Sequence, residues 1–91
     1  MAARKLRYGG DCDQFLSNLE LTRRELEQKY KVVIDALLWS PQEGALIAND
    51  LYRFHYSGER PGLNFYFKFN NASTTLMGVE RDSPEAWNDF V

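Results

Sequence analysis

The sequence predicts one small α+β domain spanning residues 1–91, with helices in its N-terminal half and a three-stranded antiparallel sheet in its C-terminal half. Three observations carry this. Apolar residues recur at helical spacing between Phe15 and Leu38, the period changes to two between Leu51 and Glu80, and turn-forming clusters separate the alternating stretches. A chain of 91 residues builds one core of modest size.

Lys5-Leu6-Arg7-Tyr8 alternates polar and apolar until Gly9-Gly10 stops it, which predicts a short edge strand. From Asp13 onward Phe15, Leu16 and Leu19 form a helical stripe, with Asp11 or Asp13 as N-cap. Thr22-Arg23-Arg24-Glu25 has the form of a capping box, in which each side chain satisfies a backbone donor near the other residue. A second helix therefore begins at Thr22. Leu26, Tyr30, Val33 with Ile34, and Leu37 with Leu38 make its buried stripe. Ser40-Pro41 ends it, because a residue before proline is pushed out of the helical region. The two helices form a hairpin.

Pro41 to Asp50 reads as a loop whose Leu46-Ile47 tucks against the body of the domain. Leu51–Tyr56, Leu63–Phe69 and Thr74–Glu80 then read as strands of a meander, separated by turns at 57–62 and 70–73. Ser83 as N-cap and Pro84 at the first helical position predict a short closing helix through Trp87 and Phe90.

Composition narrows the setting. The single cysteine, Cys12, has no internal partner, and no apolar run reaches the ~18 residues of a membrane span, so the expectation is a cytoplasmic chain without a membrane. One histidine and one cysteine leave no metal-ligand spacing; Asp11 and Asp13 beside Cys12 are better explained as caps, and neither metal nor cofactor is expected. Asn71-Ala72-Ser73 fits a glycosylation sequon, and without a secretory leader it reads as a turn. Net charge is −2, distributed unevenly: residues 1–31 are basic and residues 32–91 acidic. That balance opposes phosphate-driven binding by the sheet half.

Side chains alternate across a strand, so each strand divides into two faces. Leu63, Phe65, Phe67 and Phe69 share one face, which the helical hairpin must cover. Matching aromatic faces puts Tyr52, Phe54 and Tyr56 beside them. The other face then gathers Arg53, His55, Tyr66 and Lys68, with Arg60, Arg81 and Trp87 at its margins. Two readings fit this set. A phosphate-directed site needs cations and a group that passes protons near neutral pH, and histidine supplies the latter. An antiparallel sheet also ordinarily leaves one polar face in water, with no site on it. The basic residues Arg23, Arg24, Lys29 and Lys31 likewise read either as a solvated face or as a docking surface.

The order of elements, with Asp50-Leu51-Tyr52-Arg53-Phe54-His55-Tyr56, Leu63-Asn64-Phe65-Tyr66 and Gly78-Val79-Glu80-Arg81, resembles the RelE/ParE toxin superfamily over roughly residues 5–88. The resemblance implies a toxin of a type II toxin–antitoxin system, of the RelE-like kind that cuts mRNA on the ribosome. Arg53, His55 and Arg81 match basic positions implied to be catalytic, while Lys68, Tyr66, Arg60 and Trp87 are implied to bind substrate. Asn64 stands where the family carries an arginine. The implied partners are an antitoxin that wraps the fold, the ribosome and mRNA, and a homodimer is compatible with the pattern. The alternative is a non-catalytic protein of this fold that acts by binding, as a gyrase inhibitor or a small acidic phage-type inhibitor of a host complex.

Overall fold

The computed structural model describes residues 3–82. In chain order they form β1 (Lys5–Tyr8), α1 (Cys12–Asn18), α2 (Arg23–Lys29), α3 (Lys31–Trp39), a 3-10 turn (Pro41–Glu43), β2 (Ala45–Ala48), β3 (Leu51–Tyr56), β4 (Leu63–Phe69) and β5 (Ser73–Arg81). The strands make one mixed sheet in the order β1-β5-β4-β3-β2. The expected α+β class holds, and the meander β3-β4-β5 is antiparallel throughout.

The sheet is larger than the three strands expected. β1 pairs parallel with β5, and β2 pairs antiparallel with β3. The segment read as a loop is therefore an edge strand, and Leu46 and Ile47 do not tuck away: they are 59% and 43% exposed. Asn49-Asp50 makes the two-residue turn between β2 and β3. Asn49 takes the left-handed backbone there (φ 40°), which a short polar side chain tolerates.

Helix boundaries follow local chemistry. The capping box forms as expected: the Glu25 N–H donates to Thr22 Oγ1 at 3.1 Å, and Thr22 N–H donates to Glu25 Oε1 at 3.1 Å. Asp11 occupies the N-cap of α1 without a side-chain cap bond, and Asp13 pairs instead with Arg23. α1 ends in a Schellman motif. Glu20 N–H donates to Ser17 O at 3.0 Å, Leu21 N–H donates to Leu16 O at 2.9 Å, and Glu20 is forced to φ 59°.

The second helix is not continuous. It bends at Tyr30 (φ −114°, ψ 38°), which divides α2 from α3. The bonds Tyr30 N–H to Leu26 O and Ile34 N–H to Tyr30 O bridge the bend at 2.9 and 3.0 Å. The bend carries the Tyr30 ring onto the sheet, where it meets Tyr56 and Phe65 edge-on at centroid distances of 5.6 and 5.8 Å. Periodicity alone did not reveal it, because the apolar spacing runs unbroken through residue 30.

Leu16, Leu26, Val33 and Leu37 from the helices close over Leu63, Phe65, Phe67, Leu76 and Val79 from β4 and β5. Tyr52, Phe54, Tyr56 and Phe69 are half-buried around this core. A bulge sets which residues of the last strand face the core. Phe67 pairs with Leu76 and Tyr66 with Gly78, leaving Met77 as the extra residue, so Leu76 and Val79 both enter the core although they are three apart. Thr74, the one buried polar residue among those described, donates its hydroxyl to Leu37 O at 2.7 Å and satisfies a carbonyl in the last turn of α3. The proposed closing helix with Trp87 lies outside the described residues. No helix among the described residues is long and apolar enough to cross a membrane.

Two stability predictions result. Phe65, fully buried, should cost about 3–5 kcal/mol when truncated to alanine, read as a loss of denaturant midpoint. Glu20→Gly should raise Tm by a few degrees, about 0.5 kcal/mol, because glycine relieves the left-handed strain at the end of α1; an unchanged or lower Tm would contradict it.

Candidate functional site

Burial of Leu63, Phe65 and Phe67 turns Asn64, Tyr66 and Lys68 to the opposite face of β4. Register then decides their neighbours. Arg53 lies beside Tyr66, and His55 lies beside Asn64, which in turn faces Glu80 on β5. Arg53, His55, Tyr66 and Lys68 therefore share one sheet face, as the alternation required. Leu51 joins them from β3.

The face is organised around a residue the sequence reading did not single out. Asp82 follows the last strand and accepts a hydrogen bond from His55 Nε2 at 2.9 Å and one from Asn64 Nδ2 at 2.7 Å. Its backbone N–H donates to Gly62 O at 2.9 Å, which fixes the end of β5 against the β3–β4 turn. The His55 bond, then the Asn64 and Gly62 hydrogen bonds, hold the Asp82 carboxyl below the usual carboxylate range. An ionised carboxylate only accepts, so His55 must donate from Nε2. When the imidazole is neutral its Nδ1 is then left as an acceptor. His55 is 45% exposed at its side chain and Asp82 21%, so the pair stands at the surface with its carboxylate partly shielded.

This arrangement depends on a small residue. A Cβ at Gly62 would lie 2.7 Å from Tyr56 O, 2.9 Å from Asp82 Oδ2 and 3.0 Å from His55 Nε2. Beside the pair opens a cleft of about 300 Å³ lined by His55, Ser57, Glu59, Arg60, Gly62 and Asp82. Arg60 thus comes to the site from the turn, on the same side as His55.

Other candidates are placed differently. Lys68 makes an ion pair with Asp50 at 3.4 Å, which draws its charge toward the β2–β3 turn. Arg81 lies opposite Leu63 in the ladder, so it leaves the sheet on the helix side, and its charge acts on the Tyr30 hydroxyl. It is not brought to His55. Trp87 lies outside the described residues. Asp82 lies two residues beyond Glu80, the predicted end of the last strand. Extending the alternation Glu80, Asp82 would have put it on the face of His55.

Two of the basic helix residues, Arg23 and Lys31, are paired locally. Arg23 makes two 2.8 Å bonds to Asp13 and stacks over Tyr8 at 4.5 Å, while Lys31 reaches Asp35 at 3.2 Å. Cys12 is buried, which pushes its thiol up to about 11, and no group of three potential ligands gathers among the described residues.

Comparison with known proteins bears on the fold. No protein-family model matches the chain, and no curated protein matches its sequence. Among solved structures it is similar to the E. coli toxin RelE, a double arginine-to-alanine mutant bound to a peptide of the antitoxin RelB. The TM-score is 0.62 at 17% identity, covering 99% of this chain and 96% of that one. The chain has a RelE-like fold.

Two outcomes test the site's construction. Gly62→Ala should displace the His55–Asp82 pair and lower Tm by about 1–3 kcal/mol in stability. The depressed Asp82 pKa contributes stability that is present above its unfolded value and is lost as pH falls through the lower folded value. Asp82→Asn should therefore melt below the wild type at neutral pH, with the gap closing as pH falls through and below the ordinary carboxylate range. A gap independent of pH would show that the carboxylate charge contributes nothing.

Proposed function

We propose that this chain is the toxin of a type II toxin–antitoxin pair and a ribosome-dependent mRNA endoribonuclease acting in the cytoplasm. The observation that carries this reading is the end-to-end likeness to RelE, a toxin whose structure holds a bound antitoxin peptide. A protein antitoxin is accordingly the expected partner.

The His55 face supports the chemistry. A neutral His55 that donates Nε2–H to Asp82 has Nδ1 available to accept the proton of a ribose 2′-hydroxyl as that oxygen attacks the adjacent phosphorus. The P–O5′ bond breaks, the 5′-oxygen of the next nucleotide leaves and takes a proton from water, and a 2′,3′-cyclic phosphate remains. Asp82 then stabilises the imidazolium, the orienting role a carboxylate plays beside a catalytic histidine. Arg53 next along the strand, with Arg60 at the cleft, supplies positive charge for the phosphate; Tyr66 offers a ring beside Arg53 for a base. Lys68 acts from a position already paired with Asp50, and Arg81 from the other side of the sheet.

The same face also carries features of a binding protein that does not cut. Asp82 bonds His55 and Asn64, and Glu80 lies on the same face one strand beyond His55, opposite Asn64. These carboxylates oppose a polyanion, which is the observation behind the non-catalytic alternative.

Primer extension on mRNA in a cell-free translation reaction separates the two. New ends within codons, appearing only when ribosomes and the protein are both present, are the expected result. His55→Ala should reduce them by about 10²-fold or more, and Arg53→Ala should weaken them through loss of phosphate contacts. An intact message would sink the nuclease reading and leave a binding protein whose partner a pull-down would identify.

A further inference from the structure

The turn between β3 and β4 touches both sides of the sheet. On the outer side Ser57, Arg60 and Gly62 form the wall of the His55 cleft, and Glu59 lines it as well. On the helix side the Tyr30 hydroxyl donates a hydrogen bond to Glu59 Oε1. Tyr30 is 4% exposed and wedged between Tyr56 and Phe65 at the bend separating α2 from α3. The Tyr56 ring also lies against Gly58, where any side chain would collide with it: a Cβ there would fall 2.3 Å from Cζ of that ring. The turn is thus anchored at two successive residues by rings rooted in the core.

Glu59 ties the cleft to the helices through the Tyr30 hydroxyl, and its charge decides what the tie does. His55 is bonded by Asp82, which follows β5, and shares its cleft with Glu59 and Arg60 from the turn. Arg53 lies on the same face of its own strand, and Glu80 stands one strand away, opposite Asn64. A further carboxylate swung into this cleft would oppose a phosphate there and hold a proton on His55. Arg81 adds positive charge on the helix side, where Glu59 is bound.

We propose that Tyr30 and Glu59 are positioning residues for the His55 cleft: the tyrosine hydroxyl holds the Glu59 carboxylate back toward the helices, and with it the turn bearing Ser57 and Arg60. This rests on the phosphate-directed reading of the face, and it makes the bend at Tyr30 part of the site. The side chain that interrupts the helix is the one that reaches through to the cleft wall.

The test is an NMR titration of the His55 ring in the full chain, with the amides of 57–62 followed alongside. Tyr30→Phe removes only the hydroxyl. It should move the His55 titration upward, as the released carboxylate turns to the cleft, and shift the Ser57, Arg60 and Gly62 amides. The double variant Tyr30→Phe with Glu59→Gln should keep the amide shifts and return the His55 pKa to its wild-type value, since no charge is left to release. Glu59→Ala leaves the core ring untouched and serves if Tyr30→Phe does not fold; it should move the same amides without raising the pKa. A lower Tm with unchanged His55 titration and unchanged turn amides would overturn the proposal and leave a purely structural hydrogen bond. These readouts need no activity, so they are independent of the cleavage assay: an intact message with a shifted pKa would remove the nuclease and keep the positioning pair.

Discussion

Leu63, Phe65 and Phe67 on β4 are at most 1% exposed, and this central strand has a neighbour on each side. Because side chains alternate with a period of two, burying these three forces Asn64, Tyr66 and Lys68 to the other face. The ladder then carries the choice outward, setting Arg53 beside Tyr66 and His55 beside Asn64. A slip of one residue would put Phe65 in water and Tyr66 in the core. The apolar burial that stabilises the domain is therefore the same constraint that composes its outer face. Phenylalanines in the core make that slip costly by several times the worth of any surface ion pair.

Two local devices adapt this regular frame. The bulge at Met77 lets β5 bury Leu76 and Val79 while keeping its pairing with β4 on both sides. The ladder beyond the bulge delivers Glu80 and then Asp82 to the face of His55. The bend at Tyr30 serves the opposite side, where a continuous helix would not seat that ring between Tyr56 and Phe65. Each device breaks a local period to satisfy a packing demand, and each ends beside the turn that carries Gly62.

Electrostatics give the face its character. A RelE-like fold with a strongly cationic face would hold RNA by charge. Here Asp50 draws on Lys68, and Asp82 draws on His55. The sheet offers one oriented imidazole with two arginines near it, in an acidic half of the chain. Recognition on such a face depends more on placement than on attraction, which is why Gly62 and the turn around it matter to the site.

The class, the helix stripe, the capping box at Thr22 and the β3-β4-β5 meander were legible in the sequence, because each follows from contacts between residues close in the chain. The sharing of one face by Arg53, His55, Tyr66 and Lys68 was legible for the same reason, as alternation is a local rule. What tertiary structure alone decided is non-local. β1 joins β5 across more than sixty residues, and β2 adds to the edge although its exposed Leu46 and Ile47 carry no signal of burial. Asp82 comes to His55 across 27 residues, and Glu59 to Tyr30 across 29. Arg81, placed at the margin of the His55 face by the sequence reading and grouped with His55 again by resemblance, is sent to the other side by its pairing with Leu63. Local pattern says which way a side chain points along its own strand. Which residue meets it from elsewhere is set by ladder register, and register is fixed only when the whole core closes.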